Sequence, residues 1–153
     1  DWVERAAAML RKAEERGVKL LLPVDVICAD KFAEDANTKT VSVDEIPADM
    51  MGLDVGPETA KLYAQAISQA ATVFWNGPMG VFEMEAFAAG TKAVAEAVAD
   101  NQQGDTIIGG GDSVAAVNKF NLADRMTFIS TGGGASMELV QGEALPGVEA
   151  LKR

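Results

Sequence analysis

The sequence has 153 residues, of which 48% are apolar and 24% charged, with 13 basic and 23 acidic side chains and a net charge of −10. This length suits one domain with a real core. So acidic a chain argues against nucleic acid, whose affinity comes from Lys and Arg that neutralise phosphates. Because the sequence contains no histidine, it excludes Ser-His-Asp, Cys-His and His-ligated zinc chemistry within the chain.

The apolar segments and the cysteine content indicate the cellular compartment of the protein. No apolar run approaches the roughly 20 residues that a membrane helix needs, and no signal peptide is visible. The single cysteine, Cys28, rules out an internal disulfide. This fits a reducing cytoplasm, with Cys28 as a small core residue on a strand. We therefore expect a cytoplasmic protein that binds neither membrane nor nucleic acid.

The first third of the chain combines one helix with short apolar runs. Residues 2–16 are predicted as an amphipathic helix whose apolar stripe needs a sheet behind it. The stripe consists of Trp2, Ala6, Met9, Leu10 and Ala13. Residues 18–22 and 24–29 are predicted as strands, and residues 40–43 as a strand that pairs antiparallel with 24–29. Residues 44–56 are predicted as a loop.

From residue 57 onward helices and strands alternate. Helices are predicted at residues 57–70, 86–101, 112–120 and 136–140, and strands at 72–75, 105–108 and 126–130. This order indicates an α/β protein with a mostly parallel sheet and helices on both faces, a Rossmann-like three-layer arrangement, to which the short antiparallel ribbon is added. Residues 142–153 are predicted as a tail, apolar enough to need a partner surface.

Two glycine-rich junctions organise this second part. Ile-Ile-Gly-Gly-Gly-Asp-Ser occupies residues 107–113, and Ser-Thr-Gly-Gly-Gly-Ala-Ser occupies residues 130–136. In each, a short strand runs into three glycines and then into a helix. Glycines let main-chain N–H groups point at one spot, and the helix N-terminus adds partial positive charge. Since such junctions suit phosphate, the pair predicts one phosphate site with two walls.

Each motif also has a plainer explanation. Asp112 and Ser113 are favoured as helix caps whatever the function; the functional alternative gives the glycine amides to phosphate and Asp112 to Mg²⁺. The second junction could be a tight packing turn. Residues 75–83, Trp-Asn-Gly-Pro-Met-Gly-Val-Phe-Glu, form either an ordinary turn or a frame for a ring and a ribose. Neither glycine motif is a Walker A loop or a Gly-x-Gly-x-x-Gly fingerprint.

Taken together, these motifs resemble the phosphoglycerate kinase family. The three segments at residues 75–83, 107–113 and 130–136 follow the family's order and spacing. Gly-Leu-Asp-Val-Gly-Pro at 52–57 and Leu-Pro-Gly-Val at 145–148 match as well. The resemblance covers essentially the whole chain, but it corresponds only to the later, nucleotide-binding part of the family's sequence, less than half of it.

The resemblance implies a role for each matching position on the nucleotide. Gly52 and Leu53 would line the adenine pocket, Pro78 would contact the nucleoside, and Glu83 would bind the ribose hydroxyls. Asn76 would approach the phosphates. The phosphates and Mg²⁺ would be held by Gly110, Gly111, Asp112 and Ser113, with Asp112 as the metal ligand. The transferring phosphoryl group would face main-chain amides of Gly111, Gly132, Gly133 and Gly134.

The resemblance further implies reversible transfer of a phosphoryl group from 1,3-bisphosphoglycerate to MgADP, which yields 3-phosphoglycerate and ATP in glycolysis. Charge spread over three oxygens would be stabilised by amides and metal, so no histidine is needed. We expect residues 1–141 to be part of the nucleotide-binding domain and residues 142–153 to reach the family's N-terminal domain. That domain binds the triose phosphate through a basic patch, which this chain lacks. The full-length protein is expected to be a monomer.

Two other functions remain open from the sequence. The chain by itself, without the family's N-terminal domain and phosphoryl-binding lysines, is expected to bind MgADP weakly and to be inactive. It could instead be a catalytically silent fragment with a nucleotide-binding or structural role. A dinucleotide oxidoreductase lacks its fingerprint here and is set aside unless NAD binds more tightly than ADP.

Overall fold

The computed structural model describes residues 1–152, so the last residue of the predicted tail, Arg153, lies outside the described residues. The helices are α1 Trp2–Glu15, α2 Pro57–Ser68, α3 Ala89–Asp100, α4 Gly111–Lys119, α5 Gly133–Val140 and α6 Pro146–Glu149. The strands are β1 Asp25–Ala29, β2 Thr38–Ser42, β3 Met51–Val55, β4 Thr72–Asn76, β5 Asp105–Gly109 and β6 Phe128–Ser130. The predicted α/β class is confirmed, with two three-stranded sheets flanked by helices.

The parallel sheet carries the main core. Its strands run in the order β4-β5-β6, and both pairs are parallel, because α3 and α4 carry the chain back between them. Trp75 of β4 and Ile108 of β5 pack with buried residues of the two helices, among them Val98 and Val117. The carboxyl ends of all three strands therefore lie at one edge of the sheet, where ligands of such sheets bind.

The antiparallel sheet contains one strand that the sequence did not reveal. The predicted ribbon is confirmed, because β1 pairs antiparallel with β2. The prediction of a loop over residues 44–56 is wrong at residues 51–55, where β3 pairs antiparallel with the other side of β1. Met-Gly-Leu-Asp-Val includes glycine and aspartate, which are rare in strands. Pairing with β1, rather than local preference, decides this conformation.

The start of the chain also differs from prediction. Residues 18–22 form no strand; they follow α1 without pairing to a described strand. The apolar stripe of α1 is not covered either, since the helix buries no residue and Trp2 and Met9 are 79% and 65% exposed. Apolar runs show that a segment can be buried, not which partner it finds. None of the helices in the described residues has the length and apolar character needed to cross a membrane.

Asp25 of β1 ties the antiparallel sheet to the start of α2. The N-cap residue of α2 is Gly56, which has no side chain that could cap the helix. The Asp25 carboxylate accepts from the N–H groups of Glu58 at 3.0 Å and Thr59 at 2.7 Å, and from the Thr59 hydroxyl at 2.6 Å. Partial burial acts to raise the pKa of the Asp25 carboxyl, but these hydrogen bonds outweigh it and lower the pKa below its ordinary value of 3.8.

We expect Asp25→Ala to lower the free energy of unfolding by about 1–2 kcal/mol at pH 7, the usual cost of removing a helix cap. Because the folded pKa is lowered, the carboxylate stabilises the fold above pH 3.8 and this contribution is lost as the pH falls through the folded value. Urea unfolding at pH 7 and pH 3 measures both effects. Asp49→Ala, at an exposed loop position, is the matched control, and an equal loss in both variants would contradict the capping role.

Candidate functional site

The two triple-glycine junctions converge at the carboxyl edge of the parallel sheet. A Cβ placed on Gly133 would lie 2.7 Å from the Cα and 3.0 Å from the N of Gly110, closer than side-chain atoms approach backbone. The Gly110 N–H also donates to the carbonyl of Ser130 at 3.0 Å. The backbones of the two junctions are therefore in direct contact, and only glycine fits at Gly133.

Each of the two junctions leads directly into a helix. Gly110, at φ +91°, precedes α4, and Gly132 precedes α5; neither helix has a side-chain cap. The first N–H groups of a helix have no intrahelical acceptor and carry partial positive charge. Two helix N-termini beside one glycine contact are an arrangement suited to an anion. The residues that make it carry no cationic side chain.

Asn76, the last residue of β4, supplies a side chain to the same place. Cβ atoms placed on Gly110 and Gly133 would lie 2.7 Å and 3.4 Å, respectively, from the Asn76 Oδ1 atom. The amide of Asn76 therefore lies against both glycine junctions. The structure thus brings together the predicted residues Asn76, Gly110 and Gly133, which lie at or just beyond the carboxyl ends of β4, β5 and β6.

Asp112 and Ser113 occupy the first turn of α4 but differ in exposure. Asp112 is exposed, whereas Ser113 is fully buried and its hydroxyl oxygen accepts from the Gly77 N–H at 2.7 Å. Ser113 therefore holds the turn that follows β4. Among residues 1–152, no three His, Cys, Asp or Glu side chains form a metal cluster. One exposed carboxylate beside an anion site matches Mg²⁺, which takes one or two carboxylates plus phosphate oxygens.

The loop that follows β4, residues 77–83, is held in part by Thr91, a residue that the sequence did not single out. The fully buried hydroxyl of Thr91 in α3 accepts from the N–H groups of Met79 at 3.1 Å and Gly80 at 3.2 Å. The Val81 N–H donates to the Leu53 carbonyl at 2.9 Å. No local signal marks Thr91, which in the sequence is one polar residue within a predicted helix.

A cleft of about 490 Å³ lies between this loop and the antiparallel sheet. Predicted residues Gly52 and Leu53 line it together with Val81, whereas the triple-glycine residues and Glu83 do not. The predicted positions therefore form two regions, one at this cleft and one at the glycine junctions, with the loop between them. Glu83, at the end of the loop, is exposed.

Asp54 is a further residue of the cleft that the sequence did not reveal. It is 3% exposed, and its carboxylate accepts from the N–H groups of Gly90 and Val55, each at 2.8 Å. Burial raises the pKa of the Asp54 carboxyl, and the two hydrogen bonds act in the opposite direction. Since Gly90 lies in the first turn of α3, this carboxylate ties β3 to the helix that also carries Thr91.

Comparison with known proteins identifies the family of the chain. The family model described as phosphoglycerate kinase matches residues 1–143. The chain belongs to the phosphoglycerate kinase family. It is 58% identical to a phosphoglycerate kinase of Trichodesmium erythraeum over 151 residues, 99% of this chain and 38% of that protein. It is also 58% identical to one of Desulfosudis oleivorans over 153 residues, 100% of this chain and 38% of that protein.

Solved structures of the family share the fold. The phosphoglycerate kinase of Coxiella burnetii superposes with a TM-score of 0.90 at 47% identity, covering 97% of this chain and 38% of that chain. The phosphoglycerate kinase of Pyrococcus horikoshii superposes with a TM-score of 0.73 at 34% identity, covering 85% of this chain and 32% of that chain. The resemblance inferred from the motifs is confirmed. The chain spans a little over a third of the length of the phosphoglycerate kinases it matches.

We expect Gly133→Ala to separate the two junctions and to lower the free energy of unfolding by about 1–3 kcal/mol, as overpacking does. Gly134→Ala is the matched control, because its Cβ would meet no atom within 4 Å and alanine favours a helix by up to about 1 kcal/mol. Urea unfolding measures both variants. Equal stability of Gly133→Ala and wild type would show that the junctions are not in contact in solution.

Proposed function

We propose that this chain is the nucleotide-binding part of a cytoplasmic glycolytic phosphoglycerate kinase. The full enzyme would transfer a phosphoryl group reversibly between 1,3-bisphosphoglycerate and MgADP, giving 3-phosphoglycerate and ATP. The observation that carries the proposal is the convergence of Asn76, Gly110 and Gly133 beside two uncapped helix N-termini. Its support comes from membership of the family and from a geometry suited to phosphate.

The nucleoside would bind at the cleft and the loop. Gly52 and Leu53 would contact adenine, since both line the cleft and offer main chain and an apolar side chain. Pro78 would contact the nucleoside, and Glu83, an exposed carboxylate at the end of the loop, would accept hydrogen bonds from ribose hydroxyls. A carboxylate suits this role because it is an acceptor with two oxygens.

The phosphates would bind at the glycine junctions. Asn76 and the first-turn groups of α4, from Gly110 to Ser113, would surround them. Because the Ser113 oxygen already accepts from Gly77, that side chain would also fix the turn that carries Asn76. Asp112 would hold Mg²⁺, which when bound neutralises phosphate charge.

The transfer itself would rely on positioning and main-chain electrostatics. N–H groups of Gly111, Gly133 and Gly134 would point at the oxygens of the phosphoryl group as it moves. A loose phosphoryl-transfer transition state spreads negative charge over those oxygens. Preorganised N–H groups stabilise such charge without having to reorient during the reaction. No side chain would need to take up or deliver a proton, which is compatible with a chain without histidine.

We further propose that residues 1–141 belong to one domain and that residues 142–153 extend toward the remainder of the enzyme. Over residues 142–152 the apolar side chains are mostly exposed, with Val148 at 49% and Leu151 at 84%. Exposed apolar residues of this kind are typical of a surface that contacts a partner. The substrate phosphoglycerate would bind mainly outside this chain, and the full-length enzyme would act as a monomer.

We expect MgADP to bind more tightly than ADP alone, and Asp112→Ala to weaken MgADP binding at least tenfold, about 1.4 kcal/mol. Without Mg²⁺ the same variant should bind ADP as well as or better than wild type, because a negative charge near the phosphates is removed. Isothermal titration with and without Mg²⁺ measures this change of sign.

Asp105→Ala is the matched control for that experiment. It removes the same charge from the amino end of β5, at the opposite edge of the sheet. A catalytically silent structural fragment would show neither metal-enhanced binding nor an effect of Asp112→Ala. Tighter binding of NAD than of ADP would instead favour a dinucleotide enzyme.

We expect this chain alone to show negligible turnover in a coupled assay with 1,3-bisphosphoglycerate and MgADP. The chain has a net charge of −10, and the resemblance to the family assigns the triose-phosphate site and the lysines that serve the phosphoryl group to parts of the enzyme outside this chain. An intact phosphoglycerate kinase at the same concentration is the positive control. Full kinase activity of the chain without a complementing fragment would contradict the proposed division of the enzyme.

A further inference from the structure

Lys119, in the last turn of α4, reaches the loop that follows β4. Its Nζ donates to the carbonyl of Phe82 at 2.6 Å and lies 3.4 Å from the carbonyl of Glu83. The Glu85 carboxylate is 4.0 Å away and its side chain is 90% exposed. Such an exposed pair contributes little, so the main binding partners of this ammonium group are main-chain oxygens.

These contacts hold the backbone on both sides of Glu83. The carbonyl of Phe82 belongs to the peptide group before Glu83, and the carbonyl of Glu83 to the peptide group after it. The Phe82 side chain is 5% exposed and packs in the core, which keeps the segment from lifting away. The direction in which the Glu83 side chain leaves the backbone is therefore fixed.

The Glu83 carboxylate itself stays available. Within residues 1–152 no hydrogen bond or ion pair takes it up, although an ammonium group binds the carbonyl of the same residue. A lysine that paired with the carboxylate would compete with a ligand for its oxygens. Lys119 avoids that competition because it binds the main chain.

The same helix begins at the anion site. Gly111 and Asp112 form the first turn of α4 and Lys119 its last, so the two ends lie about 12 Å apart at 1.5 Å per residue. One short rigid element thus sets the distance between the phosphate contacts and the Glu83 loop.

We propose that Lys119 is a positioning residue that orients Glu83 to bind the ribose hydroxyls of the nucleotide. The role rests on the proposed function, in which Glu83 contacts the ribose. Lys119 touches neither the nucleotide nor the reacting atoms; it acts through the two carbonyls that flank the Glu83 side chain.

The test compares two ligands, MgADP and the magnesium complex of 2′,3′-dideoxy-ADP, which lacks the ribose hydroxyls. Lys119→Met keeps the apolar stem and removes the ammonium group. It should weaken MgADP binding about five- to tenfold, the net contribution of one ordinary hydrogen bond, and leave binding of the dideoxy ligand unchanged. Lys92→Met, at an exposed lysine of α3, is the matched control and should change neither affinity.

A double-mutant comparison identifies the path of the effect. Glu83→Gln should weaken MgADP binding, and adding Lys119→Met to it should cause no further loss. Equal weakening of both ligands by Lys119→Met would show a general role in loop stability and would overturn the proposal. Additive losses in the double variant would overturn it as well.

The remaining outcomes separate this inference from the proposed function. If wild type prefers MgADP over the dideoxy ligand but Lys119→Met binds MgADP normally, the positioning role fails and the proposed function stands. If wild type binds both ligands equally or neither, the ribose contact fails and the positioning role fails with it.

Amide hydrogen exchange tests the loop contact directly. Exchange of the Met84 N–H, which donates to the carbonyl of Val81, should become faster in nucleotide-free Lys119→Met. Unchanged exchange would show that Lys119 does not hold the loop.

Discussion

The contact between Gly110 and Gly133 is the constraint on which the rest of the site depends. The two backbones meet so closely that a side chain on Gly133 would overlap Gly110, and this closeness lets α4 and α5 present their N-termini to one place. The resulting positive potential comes from main-chain dipoles. An acidic chain can therefore contain an anion site, because net charge describes the whole surface whereas a few oriented N–H groups decide the local potential.

The loop of residues 77–83 connects that anion site to the cleft beside Leu53. Ser113 holds its beginning, Thr91 its middle and Lys119 its end, and each contact joins segments far apart in the chain. None of these three side chains needs to touch a ligand to matter. The contacts made by these three side chains set the distance and orientation between the two binding regions. This placement matters because small displacements of positioning groups weaken both binding and catalysis.

The sequence separation between interacting residues explains which features could be predicted from the sequence and which could not. The strands β4 and β5 and the glycine junctions were predictable because strand pattern, glycine and helix start are local signals. The strand β3 was missed, and residues 18–22 were wrongly assigned, because pairing across a sheet is decided by distant partners. Thr91, Asp54 and Lys119 gave no signal for the same reason: the hydrogen bonds that tie them to other segments link residues 11 to 37 positions apart.

The negative charge of Asp112 explains why the proposed function includes Mg²⁺. Asp112 places a carboxylate beside the groups that would surround the phosphates, so it would repel an uncomplexed polyphosphate. Lys119, the cation nearest the loop in the part of the chain described here, binds carbonyl oxygens instead. A divalent ion would turn the same carboxylate from a repulsive group into a ligand. Within the proposed function, the site therefore discriminates in favour of the magnesium-bound nucleotide through its geometry, without a side-chain cation on the phosphates.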